Sequence, residues 1–401
     1  MSRVGPSGYG RYPSPGLLGS GVRLTLVLVL TLGALGCSLE EAPPSQPVFR
    51  VGVLALFEGL QTAGSGVPTL QAATMAAEEL NASGGIEIGG VLHRIEIVDH
   101  QHPFRVEEVT TAARSLINRD SVHALVGPQY SQHAVPVGAI AERAGLPMIS
   151  PMSSSPATTA GRDFVFRIAF LDAAQGQVLA RFAREQLGLE RVAVVRSLTN
   201  PYSRDVAERF SEIFRELGGQ VIETAFPGGG PDVVREAFRR VLESSPQRVL
   251  LPLETNEVTE VLRLIEEEGL QIGLLGTDSW DVALIQEIPQ AQDAYLTHQW
   301  MWTIPDPGAA AFVERYGEAH GEPPRSTAAV TYDAVHVLAR AATAAGSLDG
   351  AALREAILAL PVHDGVSGPI HFDGSNDPDR PVIISRIDGR QATFIAAVDV
   401  S

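Results

Sequence analysis

The chain contains no lysine. Its 30 basic residues are all arginine, set against 47 aspartates and glutamates, for a formal net charge of −17. Without lysine the phosphate-loop motif G-x-x-x-x-G-K-[ST] is impossible, and no arginine cluster could track a phosphate backbone, so nucleic acid is excluded as a partner. Cys37 is the only cysteine, so no disulfide can form within the chain. Neither G-x-S-x-G nor H-E-x-x-H occurs, so the common hydrolase and zinc-protease patterns are absent. His100 and His102 stand near Asp99 on one stretch but have no further ligand, and read as a solvated loop rather than a metal site. Asp373–Asp379 has Pro378 where a calcium loop needs glycine and Ile384 where it needs glutamate, so it reads as a polar hairpin turn. No metal, no cofactor and no enzymatic activity are expected.

Long apolar runs are also missing, with one short exception. Leu24–Leu35 falls well below the roughly 20 residues that span a bilayer and matches the core of a signal peptide. Arg3, Arg11 and Arg23 are the only charges ahead of it. Ala34-Leu35-Gly36-Cys37 resembles a bacterial lipobox, with alanine where leucine is usual. Residues 1–36 are therefore expected to be a signal peptide, with Cys37 lipidated as the mature N-terminus. An ordinary secretory signal with an incidental cysteine is the alternative. Residues 37–47, rich in Pro, Ser and Glu, read as a tether.

What is present is globular composition, 45% hydrophobic and 19% charged, long enough for two domains. Short apolar runs alternate with amphipathic helices from Phe49 to Ile149. The rhythm restarts at Val192 and continues to Tyr295. Two such runs imply two doubly wound α/β lobes with mainly parallel sheets. Helices over 309–320, 328–345 and 348–360, then strands at 370–373, 382–387 and 393–398, extend those lobes rather than form a third. Asp172 and Gln175 are spaced as a capping box opening a helix to Leu187.

The stretch from His123 to Pro156 organises the first run. It reads as strand, turn, helix, strand, turn, and sets two polar loops, around Tyr130-Ser131 and Ser153-Ser154, at the carboxyl edge of a parallel sheet. Hydroxyls and backbone N–H groups there can hold a carboxylate, or the loops can be plain surface turns. In the second run, Asp278 follows a short buried strand and stands two residues before Trp280. That pair suits an ammonium group, by ion pair and cation–π contact, or Asp278 is the N-cap of the next helix. Tyr202 is open in the same way to turn packing.

An ordered series of short motifs then carries a family likeness: Ala76-Ala77-Glu78-Glu79-Leu80-Asn81 before Gly84-Gly85-Ile86, Ala124-Leu125-Val126-Gly127-Pro128, Ala144-Gly145-Leu146-Pro147-Met148-Ile149-Ser150-Pro151, Phe166-Arg167, Gly276-Thr277-Asp278 and Gly368-Pro369-Ile370-His371-Phe372-Asp373-Gly374. From about Val51 to the C-terminus the chain resembles the periplasmic branched-chain amino acid binding proteins, the type I solute-binding components of ABC importers. The resemblance implies two α/β lobes joined by three crossovers, near Phe170, Met301 and Gly365. Lobe one would hold 48–169 plus 302–365, and lobe two 170–301 plus 366–401. It implies that Ser131, Ser153 and Ser154 hold a ligand carboxylate, that Asp278 meets the ammonium, and that Tyr202 covers the ligand. Where some relatives present a ligand-facing tyrosine this chain has Glu254-Thr255, and many relatives join the loops at His102 and Tyr130 by a disulfide that is impossible here. With Tyr130, Trp280 and Glu254 at the side-chain end, an amino acid or an amide-like ligand is expected. The implied partners are that small molecule, an ABC permease, and a membrane reached through the N-terminal lipid. A sensor of the same fold acting through a separate partner is the rival reading.

Overall fold

The computed structural model describes residues 46–400. Cys37, the leader and most of the tether lie outside them. The chain opens with β1 (Val48–Leu56), α1 (Gly59–Gln61), α2 (Val67–Ala82), β2 (Ile86–Ile88), β3 (Val91–His102), α3 (Val106–Asn118), β4 (Ala124–Val126), α4 (Ser131–Ala144), β5 (Met148–Ser150) and β6 (Val165–Arg167). The second run is α5 (Asp172–Arg181), β7 (Arg191–Ser197), α6 (Pro201–Glu216), β8 (Gln220–Phe226), α7 (Pro231–Leu242), β9 (Arg248–Leu250), α8 (Thr255–Glu268), β10 (Gly273–Gly276), α9 (Val282–Ile285) and β11 (Tyr295–His298). The chain closes with α10 (Pro307–His320), α11 (Ser326–Ala345), α12 (Gly350–Ala359), β12 (His363–Gly365), β13 (Gly368–Ile370), β14 (Val382–Asp388) and β15 (Gln391–Val398).

Two large sheets result, beside a two-stranded ribbon of β12 and β13. The first has the order β2-β3-β1-β4-β5-β6 and the second β15-β14-β11-β10-β9-β7-β8. β1, β4 and β7 are nearly all buried, because helices cover both faces; that is why they read as unbroken apolar runs. Gly127 ends β4 with φ +92, and a Cβ there would lie 2.7 Å from the Leu54 carbonyl oxygen, so only glycine fits. Gly176 plays a packing role: a Cβ on it would come within 2.8 Å of the Val206 carbonyl oxygen, so its absence lets α5 and α6 close together. Helix ends follow local rules. α8 starts in a capping box of Glu254 with Glu257 and stops at left-handed Gly269.

The chain crosses between the sheets three times, after β6, after β11 and before β14. α10 and α11 return to the first core, where Phe312, Tyr316 and Val335 pack with Val51 and Phe166. The third crossing lies later than expected. Ile370 and Phe372 belong to the first core, with Phe372 edge-on to Phe166 at 5.5 Å. Asn376 donates to the Val165 carbonyl at 2.9 Å, and Arg167 pairs with Asp377. Residues 366–377 thus pack with the first lobe, not the second.

Two local expectations change as well. Asp172 is the first residue of α5 rather than its cap, and Leu171 holds the N-cap place without a side-chain bond. His102 is buried, not solvated: its ring meets that of His133 edge-on at 5.3 Å, while Phe104 meets Tyr130 at 5.4 Å. Aromatic packing therefore joins the two loops that a disulfide would otherwise link. His100 pairs with Asp120 at 3.1 Å. Among the described residues no group of three or more His, Cys, Asp or Glu could hold a metal, and no helix is long and apolar enough to cross a membrane.

Candidate functional site

The strand order places β1 beside β4 in one sheet and β7 beside β9 in the other, so the chain turns opposite ways at these neighbours. Ligands of open α/β sheets bind outside the carboxyl ends of strands at such switch points. Here a cavity of about 420 Å³ lies there, between the loops of both sheets. From the first come Ser65, Gln129, Tyr130, Ser131, Met152 and Ser154. From the second come Tyr202, Glu254, Thr255, Asp278 and Trp280.

On the first side, α4 starts at Ser131 with no side-chain cap, which leaves its first N–H groups open. Ser154 is 1% exposed, and its carbonyl accepts from the Asp172 N–H at 2.9 Å. The loop that carries it is clamped from behind. Arg167, with no exposed surface, donates to the carbonyls of Ser153 and Ser155 at 2.8 and 2.9 Å, to the Thr159 hydroxyl at 2.7 Å, and to Asp377.

On the second side, both oxygens of Asp278 are engaged. The Tyr202 hydroxyl donates to one at 2.7 Å and the Gln299 amide to the other at 2.8 Å, while the Asp278 N–H donates to Gln175 at 3.0 Å. Burial pushes the Asp278 carboxyl above the usual range, and the Tyr202 hydroxyl and Gln299 amide that donate to it oppose that shift. Glu254 is 8% exposed; Asn200 donates to it at 3.0 Å. Burial first, then Glu257, push its carboxyl up to about 8. Bonds also tie the two sides together around the cavity: Ser155 to Asp205 at 2.7 Å, Gln61 to Asn256 at 3.4 Å, and the ion pair of Arg325 with Asp281.

A carboxylate facing two hydroxyl-bearing loops across one cavity can grip a zwitterion; among the described residues that line it, none is an activated nucleophile. The sequence profile of the periplasmic binding protein family matches residues 48–392. The chain belongs to the periplasmic binding protein family. The family comprises solute-binding proteins, not enzymes. Relatives include a leucine-, isoleucine-, valine-, threonine- and alanine-binding protein of Pseudomonas aeruginosa, 25% identical over 81% of this chain and 84% of its own. A leucine-binding protein of Thermotoga maritima has a crystal structure that superposes with a TM-score of 0.80 at 28% identity, covering 88% of this chain and 99% of its own. A solute-binding protein of Rhodopseudomonas palustris, crystallised with 3,4-dihydroxybenzoic acid, shares the fold at 21% identity and a TM-score of 0.77, over 88% of this chain and 98% of its own.

Of the residues singled out from sequence, this periplasmic binding protein brings Tyr130, Ser131, Ser154, Tyr202, Glu254, Asp278 and Trp280 to one cavity. Ser153 is not among its lining residues. Its hydroxyl donates to that of Ser131 at 3.0 Å and lies 2.6 Å from that of Thr158, so it braces Ser131 from behind. Trp280 forms part of the wall, but its indole N–H is committed to the Leu251 carbonyl at 3.0 Å and its ring belongs to the second core. Asp278 is not a helix cap; Asp281 fills that place for α9.

Asp172 is the residue that sequence reasoning missed. It is fully buried, and neither carboxyl oxygen has a hydrogen-bond partner among the described residues. Burial drives its pKa well above the usual range, Ser154 opposes the shift, and the nearby Asp278 and Asp205 add to it. Its capping-box spacing masked it. The usable signal was an acidic residue two places after the apolar Phe164–Phe170 run.

These acids set a pH dependence. A carboxyl with a raised pKa in the folded state holds its proton after the unfolded chain has lost it, so stability falls as pH rises through that window. Buried His133 and His298, lowered by burial to about 3 and about 4, act oppositely, but only below the unfolded histidine pKa of about 6.5. Between about pH 6.5 and 8 the histidines no longer contribute, and Glu254, pushed up to about 8, lowers stability in the same direction as the other raised carboxyls. The ligand-free protein is expected to lose thermal stability across that interval, with a slope of at most about 1.4 kcal/mol per pH unit from this one group. Glu254→Gln should flatten the slope; an identical profile in that variant would refute the assignment.

Proposed function

We propose that the protein is the extracytoplasmic solute-binding component of an ABC importer and that it holds an amino acid or amide-like ligand between its lobes. The observation that carries this reading is the position of Asp278 across one cavity from Ser131 and Ser154. The ligand carboxylate would take the two hydroxyls and the open N–H groups at the start of α4. The ammonium would meet Asp278, with the unpartnered Asp172 carboxyl close by, and Tyr202 would fix the orientation of Asp278. Closure removes water from these charges and so strengthens their contacts. We assign residues 48–169 and 302–377 to the first lobe and 170–301 and 378–401 to the second. The partner for the loaded, closed form would be an ABC permease.

A thermal-shift screen of amino acids, amides and aromatic carboxylates tests the reading. A ligand at 100 times its Kd should add about 2.7 kcal/mol of stability. If aromatic carboxylates stabilise the protein and no amino acid does, the proposal fails. With the ligand in hand, Ser131→Ala and Ser154→Ala should each cost roughly 0.5–1.5 kcal/mol of binding, more where the hydroxyl meets an ionised carboxylate. Calorimetry reads this directly, and full affinity in the double variant would remove the first lobe from the site.

Residues 1–36 would act as the signal peptide, and Cys37 would carry the lipid that holds the mature chain at the membrane. Cys37→Ser should move the protein from the membrane fraction to the soluble one. A wild type that is already soluble would end the lipoprotein assignment.

A further inference from the structure

Asp278 accounts for one cationic group on the ligand. Glu254 is a second carboxyl on the same cavity, carried by a different loop. Asp281, a further and partly buried acid of this wall, is matched by Arg325, and the remaining acids of the lining, Glu287 and Glu322, are exposed. Glu254 has no such match: among the described residues its carboxyl accepts only from neutral donors, the Asn200 amide and, in the capping box, the Glu257 N–H. Two further acceptors line the cavity from the first lobe. The Ser65 hydroxyl, 4% exposed, and the Oε1 of Gln129, 5% exposed, both lack a partner among the described residues. Gln129 is oriented by its own amide, which donates to Thr69 at 2.9 Å and to Thr331 at 3.3 Å, so its carbonyl oxygen is the end left over. Buried acceptors without donors are costly, and a ligand rich in N–H groups would satisfy them.

We propose that the ligand is an amino acid with a second cationic group, an amine or guanidine at the end of its side chain, received by Glu254 with Ser65 and Gln129 as further acceptors. This deepens the amino-acid reading of the site and rests on it. An aliphatic side chain would leave the Ser65 hydroxyl and the Gln129 Oε1 unmet and would bring no cation to Glu254. An amide would supply N–H donors but no charge to set against the carboxylate.

The proposal carries a proton signature. The groups facing Glu254 are Glu257 on its own helix, Asp278 from the loop after β10, and the Tyr130 phenol from the first lobe, with the paired Asp281 beyond. None is a cation. With its carboxyl pushed up to about 8 by burial, Glu254 is mostly protonated in the empty protein at pH 7. A cation arriving beside it favours the carboxylate, so the proton leaves Glu254 for the buffer as the ion pair forms. A neutral side chain causes no such release.

Isothermal calorimetry at pH 7 with ornithine, lysine, leucine, glutamine and benzoate, in two buffers of different ionisation enthalpy, tests this. Ornithine or lysine should bind at least about tenfold more tightly than leucine and glutamine, and with net proton release. In Glu254→Gln the preference ratio of dibasic over neutral amino acids should shrink by at least about tenfold, and the proton release should vanish. Ser65→Ala should shrink the ratio in the same direction. Leucine or glutamine binding as tightly as ornithine and lysine, or dibasic binding without proton release in the wild type, overturns the inference while leaving the amino-acid reading standing. Binding of benzoate with no amino acid binding overturns both. The proton count is measured on the wild type, so the test does not depend on any variant folding.

Discussion

Replacing Asp278 with alanine should weaken binding of the amino acid ligand by about tenfold to more than a hundredfold. The change removes a charge-assisted contact worth roughly 1.5–3 kcal/mol and leaves the Tyr202 hydroxyl and the Gln299 amide without their acceptor. Asp278→Asn should lose a large part of the same energy, since it keeps the shape and discards the charge. The two variants separate charge from packing: near-equal losses assign the energy to the ion pair, whereas a much milder loss in Asn assigns it to the hydrogen-bond frame. Calorimetry with the ligand found by screening decides, and unchanged affinity in both variants refutes the role. The apo protein should tolerate Asp278→Asn well. Because burial raises this carboxyl, its ionised form opposes folding at neutral pH, and removing the charge relieves that cost.

Arg167→Met should produce the largest loss of stability, about 3–5 kcal/mol, the usual cost of breaking a buried charged pair by removing one member. Four acceptors lose a donor at once: two carbonyls, the Thr159 hydroxyl and Asp377. Arg167→Lys keeps the charge but replaces a planar fork with a single point of donation, so it should fall between wild type and methionine. Ligand affinity should drop in both, because the clamped loop is the one that presents Ser154. Melting curves and affinities measured together test this. A methionine variant that melts like the wild type would show that the clamp contributes nothing.

The alternation of strands and helices was readable because buried parallel strands appear as short apolar runs punctuated by Gly and Pro, as at Val51–Leu56 and Ala124–Pro128. Position at the carboxyl edge of a strand was readable in the same way, which brought the serine loops and Asp278 into view. Orientation was not. Ser153 and Ser154 are chemically identical neighbours, and only the positions of Ser131 and Thr158 show that the first is a brace. The apolar pattern of α4 begins only at Val135, because Ser131, Gln132 and His133 break it; the helix nonetheless starts at Ser131, and His133 is buried against His102 and Phe104. The same contacts hid His102, whose polar neighbours suggested solvent. The third crossing was misplaced for a different reason. Nothing local in Gly368–Asp377 says which lobe it joins, because its deciding contacts lie about two hundred positions earlier, at Phe166 and Arg167.

Those distant contacts bear on the order in which the molecule assembles. Arg167 and Asp377 are 210 positions apart in the chain. As a nascent chain grows from its N-terminus, the first lobe lacks the strand and the carboxylate that complete it until nearly everything else has been made. The parallel strands from β7 to β10 have no such wait, since their partners lie nearby in sequence and close at lower entropic cost, whereas β11 gains its neighbour β14 only once Val382–Asp388 is made. The middle of the chain can therefore settle before the beginning. A truncation ending before residue 366 would leave unfinished the lobe that was started first.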